Sequence, residues 1–223
     1  MKTDTAHLVW NERWATADGR ADWLQPEEDV VRLVDELAAE GRTRRVLDLG
    51  CGVGRHALHL ARAGFETHAI DMAEEGLSQL RGAAADAGLS VHTAPAAMTA
   101  LPFPDEHFDY VLAFNVIYHG DAKIVRQAIS EIRRVLRSGG VYQGTMLSKR
   151  NTKFGKGTEI APNTFIEGDA SVLNSNDDKN HPHFYCNAAE LIDLFAGFEL
   201  RTLTDKSHSS PGSYHWHLAA DRL

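Results

Sequence analysis

The sequence predicts an α/β domain in which helices cover both faces of a mostly parallel β-sheet. The apolar run 46–49 breaks into a glycine-rich turn and then resumes with helical spacing, which is typical of a buried strand, a tight turn and a helix. A second apolar run, 65–71, follows that helix, and strand-like and helical stretches continue to alternate toward the C-terminus. This order indicates strand-helix-strand units around one sheet.

The length and charge of the chain limit its class. Its 223 residues are enough for one sizeable core, and we expect a single domain that spans residues 1–223. The formal net charge of -8 disfavours nucleic acid and anionic membranes as partners, because it gives no overall attraction to polyphosphate. The sequence makes no prediction of the oligomeric state.

The cysteines and the first residues indicate a cytoplasmic protein. Cys51 and Cys186 are far apart and form no disulfide or zinc spacing pattern, which favours reduced thiols. The polar start, residues 1–5, lacks the apolar core of a signal peptide. No apolar run approaches the roughly 20 residues that are needed to span a bilayer.

The glycine-rich turn after the first strand predicts a floor for a ligand. Gly50, Gly52 and Gly54 allow positive φ angles and let a ligand lie against bare main chain. Asp48, at the end of the strand, can accept hydrogen bonds from an ammonium group but repels a diphosphate. Arg55 stands where the dinucleotide-binding fingerprint has its third glycine. The turn therefore favours a cationic ligand over a dinucleotide.

The second strand ends at Asp71, a carboxylate in the position that chelates a ribose diol in nucleotide-binding sheets. The run from Asp48 to Gly54, with Asp71 beyond it, resembles the S-adenosylmethionine site of class I methyltransferases. The resemblance implies a Rossmann-like three-layer sandwich with a seven-strand, mostly parallel sheet whose last strand is antiparallel. It also implies methyl transfer, with S-adenosylmethionine held by Asp48, Gly50, Cys51, Gly52, Gly54, Asp71, Met72, Ala97, Met98 and Asn115.

Two other functions remain open on the same residues. A nicotinamide-dependent oxidoreductase of Rossmann fold shares the sheet and the turn. A non-catalytic scaffold that binds S-adenosylmethionine retains the whole site without methyl transfer.

One position departs from the family pattern. Many members carry an aspartate shortly before a Leu-Pro-Phe element, where it accepts a hydrogen bond from the adenine amino group. This chain has Ala96 and Ala97 there, ahead of residues 101–103. We therefore expect backbone groups near Ala97, with apolar contact from Met98, to recognise adenine.

Residues 1–40 are predicted to form an N-terminal helical lid over the ligand. Trp10 and Trp14 lie four positions apart and so share one face of a short helix. The W-x-x-R-W pattern that they form with Arg13 resembles the start of thiopurine and tellurite-resistance methyltransferases, where this segment closes on the active site. Simple packing against the sheet is the alternative. In the lid, Trp10 and Trp14 are candidate substrate contacts.

The turn after the fourth strand is the best candidate for the chemistry, since ligands bind outside the carboxyl ends of such strands. Asn115 and Tyr118 have the spacing of the Asn-Pro-Pro-Tyr element of amino-methylating enzymes. Val116 and Ile117 replace both prolines, so we treat that match as chance. His119 and Tyr118 are the predicted catalytic residues. Either of them, or one of the histidines late in the chain, can serve as a general base for a protonated acceptor.

The segment 148–183 is predicted to be a long loop or a cap insertion. It has little apolar periodicity and is rich in asparagine, aspartate, glycine and lysine. Its first part is basic, and a solvated loop competes with anion binding as the explanation.

Twelve histidines are many for this length, and five of them come late in the chain. In the tripeptides 181–183 and 215–217, two histidines stand two positions apart and share a face if the segment is extended. Packing, the lining of an acceptor pocket and metal binding compete as interpretations. Because the pairs have no evident third partner, we predict no metal site. The candidate substrate contacts are His181, His183, His208, His215 and His217.

The reaction itself limits the acceptor. Methyl transfer from a sulfonium is an in-line displacement, which gains most from alignment and from the exclusion of water. The small size, the single domain and the tryptophan-rich start favour a small-molecule acceptor. A soft chalcogen anion is one option, and it needs no general base.

Overall fold

The computed structural model describes residues 3–168, 178–208 and 210–223. Its centre is a sheet of seven main strands. They are β1 (Arg45–Leu49), β2 (Glu66–Asp71), β3 (Val91–Pro95), β4 (Phe108–Ala113), β5 (Leu136–Ser148), β9 (Phe198–Ser207) and β10 (Tyr214–Arg222). Their order across the sheet is β3-β2-β1-β4-β5-β10-β9. β1 to β5 pair in parallel, and β10 runs antiparallel to both β5 and β9. The predicted mostly parallel sheet with an antiparallel last strand is confirmed.

Three short strands lie outside the predicted seven. They are β6 (Thr158–Ala161), β7 (Thr164–Ile166) and β8 (His183–Cys186). β6 and β7 form an antiparallel hairpin, β7 pairs with β8, and the end of β8 runs parallel to the end of β5. The predicted loop or cap 148–183 therefore carries strands of its own, which are too short to produce a periodic pattern. Its residues 169–177, like residues 1–2 of the predicted lid, lie outside the described part.

Seven helices lie within the described ranges. They are α1 (His7–Trp14), α2 (Ala17–Arg20), α3 (Glu28–Glu40), α4 (Arg55–Arg62), α5 (Glu74–Asp86), α6 (Ala122–Val135) and α7 (Ala188–Leu194). None of these described helices has both the length and the apolar composition to cross a membrane.

The two faces of the sheet bury different side chains because successive strand residues point to opposite sides. Val46 and Leu112 pack against α3 and α4 on one face. Leu47 and Val111, their neighbours in sequence, pack with α6 and α7 on the other face. α5 lies beside α4 and buries Leu80 there. The core is therefore divided between two layers of helices, as the sequence predicts.

Local signals set several helix ends. The side chain of Asn187 accepts the N–H of Glu190 at 2.9 Å, and the Glu190 carboxylate accepts the N–H of Asn187 at 2.8 Å, so the Asn-x-x-Glu spacing forms a capping box at the start of α7. At the other end of a helix, α6 stops at Val135. Leu136 leaves the helix because it pairs with Phe108 in the sheet.

Asp109, in β4, fixes the start of β1. Its Oδ2 accepts the backbone N–H groups of Arg44 and Arg45 at 2.8 and 2.9 Å, and its Oδ1 pairs with the Arg137 guanidinium. Burial alone would raise the pKa of Asp109, but the hydrogen bonds from Arg45 and Arg137 hold it below its ordinary value. The carboxylate therefore stabilises the fold at neutral pH, and this contribution is lost as the pH falls through its lowered pKa.

We expect Asp109→Ala to lower the free energy of unfolding by about 1–2 kcal/mol at pH 7, because two backbone donors lose their acceptor. Urea denaturation followed by circular dichroism measures the change. Asp86→Ala, at the exposed end of α5, is the control and should change stability by less than about 0.5 kcal/mol. Equally small effects of the two substitutions would contradict the role given to Asp109.

Candidate functional site

A cleft opens at the carboxyl ends of β1, β2 and β4. It holds about 1080 Å³ of space, including its mouth to solvent. The glycine-rich turn forms its floor, and Trp10, Trp14 and Trp23 form its roof. Its lining also includes Ala97 and Met98, which follow β3, and Asn115 and His119, which follow β4. The cleft thus brings together most of the residues that the sequence predicts to bind the cofactor.

The floor requires glycine at each of its three positions. Gly50, Gly52 and Gly54 have φ angles of 70°, 51° and 88°. A Cβ on Gly50 would lie 2.4 Å from the Val116 side chain, and one on Gly54 would lie 2.2 Å from Leu80. Gly50 and Gly52 line the cleft, whereas Gly54 starts α4 beneath it. These glycines are needed for the backbone conformation and for close packing.

Asp71 holds the floor in place. Its Oδ2 accepts the N–H of Gly52 at 2.8 Å, and its Oδ1 accepts the N–H of Ala73 at 2.8 Å. Burial raises the pKa of Asp71, and these backbone hydrogen bonds offset part of the increase. Asp71 and Met72 both line the cleft. Because a carboxylate has about four acceptor sites, Asp71 can still bind ligand hydroxyl groups.

Asp48 and Cys51 are buried at the edge of the floor. Asp48 lies outside the cleft lining, where burial raises its pKa to about 7. Its Oδ2 has no hydrogen-bond partner among the described residues. Cys51 lines the cleft, and burial raises the pKa of its thiol. A direct hydrogen bond from a ligand ammonium to Asp48 stays a prediction.

The roof is a cluster of aromatic rings from the N-terminal segment. Trp10 and Trp14 stack with their ring centroids 5.0 Å apart, and Trp23 meets them edge-on at 5.0 and 5.7 Å. Trp14 packs directly on Gly52, where a Cβ would lie 3.0 Å from its ring. The N–H of Trp14 is buried without a hydrogen-bond partner among the described residues. The N-terminal segment therefore contacts the glycine-rich turn, and its role as a lid over a ligand stays a prediction.

Sequence reasoning missed several residues of the wall. Arg55 lines the cleft, with its guanidinium 5.1 Å from the Trp23 ring and 5.7 Å from the Phe114 ring. It also pairs with Glu27 at 2.9 Å. The position of Arg55 directly after the turn was a usable signal. Trp23 lies in the predicted lid and Phe114 directly precedes Asn115, so their positions were signals of the same kind.

Asn115 and His119 belong to the segment after β4, and both line the cleft. Asn115 adopts a φ of 61°, and its N–H donates to Thr145 Oγ1 at 2.8 Å. His119 Nδ1 lies 2.9 Å from the Val116 carbonyl oxygen. Burial, with the neighbouring His183, lowers the pKa of His119 to about 3. His119 is thus a neutral imidazole at pH 7.

Tyr118 and the late histidines lie behind this wall. Tyr118 is buried outside the cleft lining, and burial raises the pKa of its hydroxyl well above its ordinary value. None of the five late histidines lines the cleft as described. His183 approaches His119 with ring centroids 4.9 Å apart, and His215 lies 5.9 Å from Tyr118. Their role as substrate contacts stays a prediction.

His208, His215 and His217 form a cluster of their own. The rings of His208 and His215 stack at 3.8 Å, and Nε2 of His208 lies 2.6 Å from Nε2 of His217. Burial and neighbouring positive charge lower the pKa of His208 and His215 to about 3 and that of His217 to about 4. All three are therefore neutral at pH 7, and the fold resists their protonation.

Part of the chain is similar in sequence to known proteins. Residues 46–140 match the family described as "Methyltransferase domain". The demethylmenaquinone methyltransferase of Thermus thermophilus is 40% identical over 112 residues, which are 49% of this chain and 49% of that protein. The ajmaline N-methyltransferase of Rauvolfia serpentina is 34% identical over 121 residues, 49% of this chain and 41% of that protein. The chain thus spans about half the length of the curated relatives it matches.

Solved structures share the fold over most of the chain. The 1,6-didemethyltoxoflavin-N1-methyltransferase of Burkholderia thailandensis superposes with a TM-score of 0.70 at 19% identity, covering 98% of this chain and 88% of that one. TehB from Haemophilus influenzae superposes with a TM-score of 0.65 at 17% identity, covering 89% and 63%. The predicted Rossmann-like sandwich of class I methyltransferases is confirmed.

Acidification should destabilise the protein through His215, since its pKa of about 3 in the folded state lies below its ordinary value of 6.5. The unfolded chain binds the proton first, so stability is complete above pH 6.5 and falls as the pH drops toward 3. Between pH 6.5 and 5, this histidine lowers the free energy of unfolding by about 2 kcal/mol. In His215→Gln, the loss of unfolding free energy from pH 7 to pH 5 should be smaller by that amount.

Urea denaturation at the two pH values measures this difference, and comparing each protein with itself removes the constant cost of the substitution. His92→Gln, on the exposed side of β3, is the control. A pH-dependent loss in His215→Gln as large as that of the unsubstituted chain would contradict the prediction.

Proposed function

We propose that the chain is a class I methyltransferase that transfers the methyl group of S-adenosylmethionine to a small-molecule nucleophile. The observation that carries this proposal is the floor of the cleft. There, Asp71 fixes a glycine turn beneath an aromatic roof while keeping acceptor capacity for a ribose. The sequence relatives over this region are methyltransferases of several small molecules and support the same reaction class.

The cleft suggests one orientation for the cofactor. Its adenosine part fits the end lined by Asp71, Met72, Ala97 and Met98, with the ribose diol on the Asp71 carboxylate. Its amino-acid part then runs along the glycine floor, where the unpartnered N–H of Trp14 offers a donor to a carboxylate.

Asp48 and Gly54 support this floor from below. Gly54 packs on Leu80, and the Asp48 carboxyl is held by the backbone N–H of Ala57 at the start of α4. We assign Asn115, which lines the cleft, to the region of the methyl-bearing sulfur.

The acceptor end of the cleft is formed by Trp10 and His119. The faces of the tryptophan rings attract a sulfonium cation and exclude water from the line of displacement. His119 provides a polar atom at this end. Its Nδ1 is occupied by the Val116 carbonyl, so its Nε2 carries the lone pair that an acceptor can meet. We assign Tyr118, which stacks behind His119 at 4.6 Å, to positioning rather than to contact with the acceptor.

A small acceptor fits this site better than a macromolecule. The roof tryptophans pack on one another and on the floor, which limits access to the acceptor end. The net charge of -8 disfavours a nucleic-acid substrate. The buried thiols of Cys51 and Cys186 are both free, which fits a reducing compartment such as the cytoplasm.

Asp71→Ala should weaken S-adenosylmethionine binding by about 100-fold or more, because it removes the ribose acceptor and the acceptor of the Gly52 N–H. Isothermal titration calorimetry of the folded variant measures the dissociation constant. Asp71→Asn retains one acceptor oxygen and should show a smaller loss. Asp86→Ala, at the end of the next helix, is the control and should bind as the unsubstituted chain. Unchanged affinity in Asp71→Ala would overturn the ribose assignment.

The reaction is tested by incubating the protein with methyl-labelled S-adenosylmethionine and panels of thiols, phenols, amines and chalcogen oxyanions. We expect label transfer to one of these classes. Trp10→Ala should lower kcat/KM at least about tenfold, since the roof loses a ring that excludes water. Leu8→Ala, an exposed position on the same helix, is the matched control.

Two results would contradict this proposal and favour a different function. Binding of NAD in preference to S-adenosylmethionine would favour an oxidoreductase. Tight binding of S-adenosylmethionine, without transfer to any acceptor class, would favour a scaffold.

A further inference from the structure

Behind the acceptor end of the cleft, three potential metal ligands come from separate parts of the chain. His119 follows β4, Asp178 belongs to a single 3-10 turn over Asp178–Asn180, and His183 starts β8. One nitrogen or oxygen atom of each lies within 4.8 Å of the other two. We propose that these residues bind a divalent transition-metal ion of the zinc type at the edge of the cleft.

Both imidazoles present the correct nitrogen. His119 Nδ1 lies 2.9 Å from the Val116 carbonyl oxygen, and His183 Nδ1 lies 2.8 Å from the His181 carbonyl oxygen. A carbonyl oxygen only accepts, so each Nδ1 carries a proton, and in the neutral form of each ring Nε2 carries the lone pair. Metal-bound histidines are oriented in the same way, by a hydrogen bond from the ring nitrogen that does not bind the metal.

The backbone holds the two histidines beside each other. The N–H of Gly120 donates to the Pro182 carbonyl at 3.1 Å, and the N–H of Phe184 donates to the Tyr118 carbonyl at 2.9 Å. His119 and His183 form a β-bridge between these two bonds. The separation of the rings is therefore set by the main chain and not by flexible side chains.

The turn that carries Asp178 is tied to the same region. The N–H of His181 donates to the Asp178 carbonyl at 2.9 Å, and the carbonyl of Lys179 accepts the N–H of Glu167 at 2.9 Å. The Asp178 carboxylate then lies 3.7 Å from Nε2 of His183. The Asp178 oxygen thus faces the lone pair of a neutral His183 ring. Two such electron-rich atoms repel each other, and a cation between them makes the contact favourable.

The donor set matches one kind of metal site. Two imidazoles and one carboxylate are the protein ligands of several catalytic zinc sites, in which a fourth position stays open. Ligand atoms about 2.0–2.2 Å from a tetrahedral ion lie roughly 3.3 Å apart, so the three groups need to draw together by at most about 1.5 Å.

Lys179 competes for the same carboxylate. Its Nζ lies 3.1 Å from Asp178 Oδ2, so a metal ion at this oxygen replaces an existing ion pair. The alternative interpretation is therefore an ordinary ion pair and hydrogen-bonded histidines without a metal. The two interpretations differ in whether the protein binds a metal ion at one defined site.

The proposal deepens the function given above and rests on it for the role of the ion. Because His119 lines the cleft, an ion that it held would lie at the edge of the cleft, where an open position could accept a ligand from the acceptor end. An acceptor oxygen, nitrogen or sulfur bound there loses its proton more easily, which prepares it for methylation. Metal binding itself does not depend on methyl transfer.

The test is a titration of the full chain, prepared without an affinity tag and stripped of metal with a chelator. Zinc binding is followed by calorimetry, and Co²⁺ replaces Zn²⁺ for absorption spectra, which report the coordination geometry. We expect one zinc ion per chain. Asp178→Asn and His183→Gln should each weaken its binding by about 100-fold, since one of three ligands is lost.

The matched control is the double variant His208→Gln with His217→Gln, which removes the other cluster of adjacent imidazoles. It should leave zinc affinity unchanged. Circular dichroism and S-adenosylmethionine affinity show that each variant is folded. Unchanged zinc affinity in both Asp178→Asn and His183→Gln, or a loss only in the double control, would overturn the proposal. Methyl transfer without zinc binding refutes the metal site alone, and zinc binding without methyl transfer refutes the proposed function alone.

Discussion

The site depends on one interaction, the pair of hydrogen bonds from the backbone N–H groups of Gly52 and Ala73 to the carboxylate of Asp71. These bonds connect the turn after β1 to the end of β2, so two neighbouring strands end in one rigid floor. The left-handed conformations of the turn are stable only because glycine occupies them. A buried carboxylate that accepts two backbone bonds is favourable, whereas the same carboxylate without them would be costly.

The roof depends on this floor. Trp14 packs on Gly52, and Trp10 stacks on Trp14. This row of ring contacts extends from the floor to the acceptor end. The N-terminal segment is thereby positioned by contact with the turn, although α1 and β1 are separate in sequence. Such an arrangement suits a displacement reaction, for which the protein supplies alignment and a dry environment more than reactive groups.

A layer of neutral histidines stands behind the acceptor end. Burial keeps His119 and His215 unprotonated, and backbone carbonyls occupy Nδ1 of both rings. The lone pairs on Nε2 are therefore available at neutral pH. The stability of the fold is therefore sensitive to acid, because the unfolded chain binds protons that the folded chain does not bind. Polar networks of this kind are retained where their geometry serves a site.

The sequence by itself determined the α/β class, the glycine turn, the place of Asp71 and the capping box of α7. Each of these is encoded by residues close together in the chain, whose spacing and backbone preferences act locally. Only the tertiary structure decided that Asp48 lies beneath the floor and that Asp178 meets the two histidines. It also produced the strands within 148–183. Those outcomes follow from packing between segments that are distant in sequence. Contacts of this kind leave no local pattern, because no single segment contains both partners.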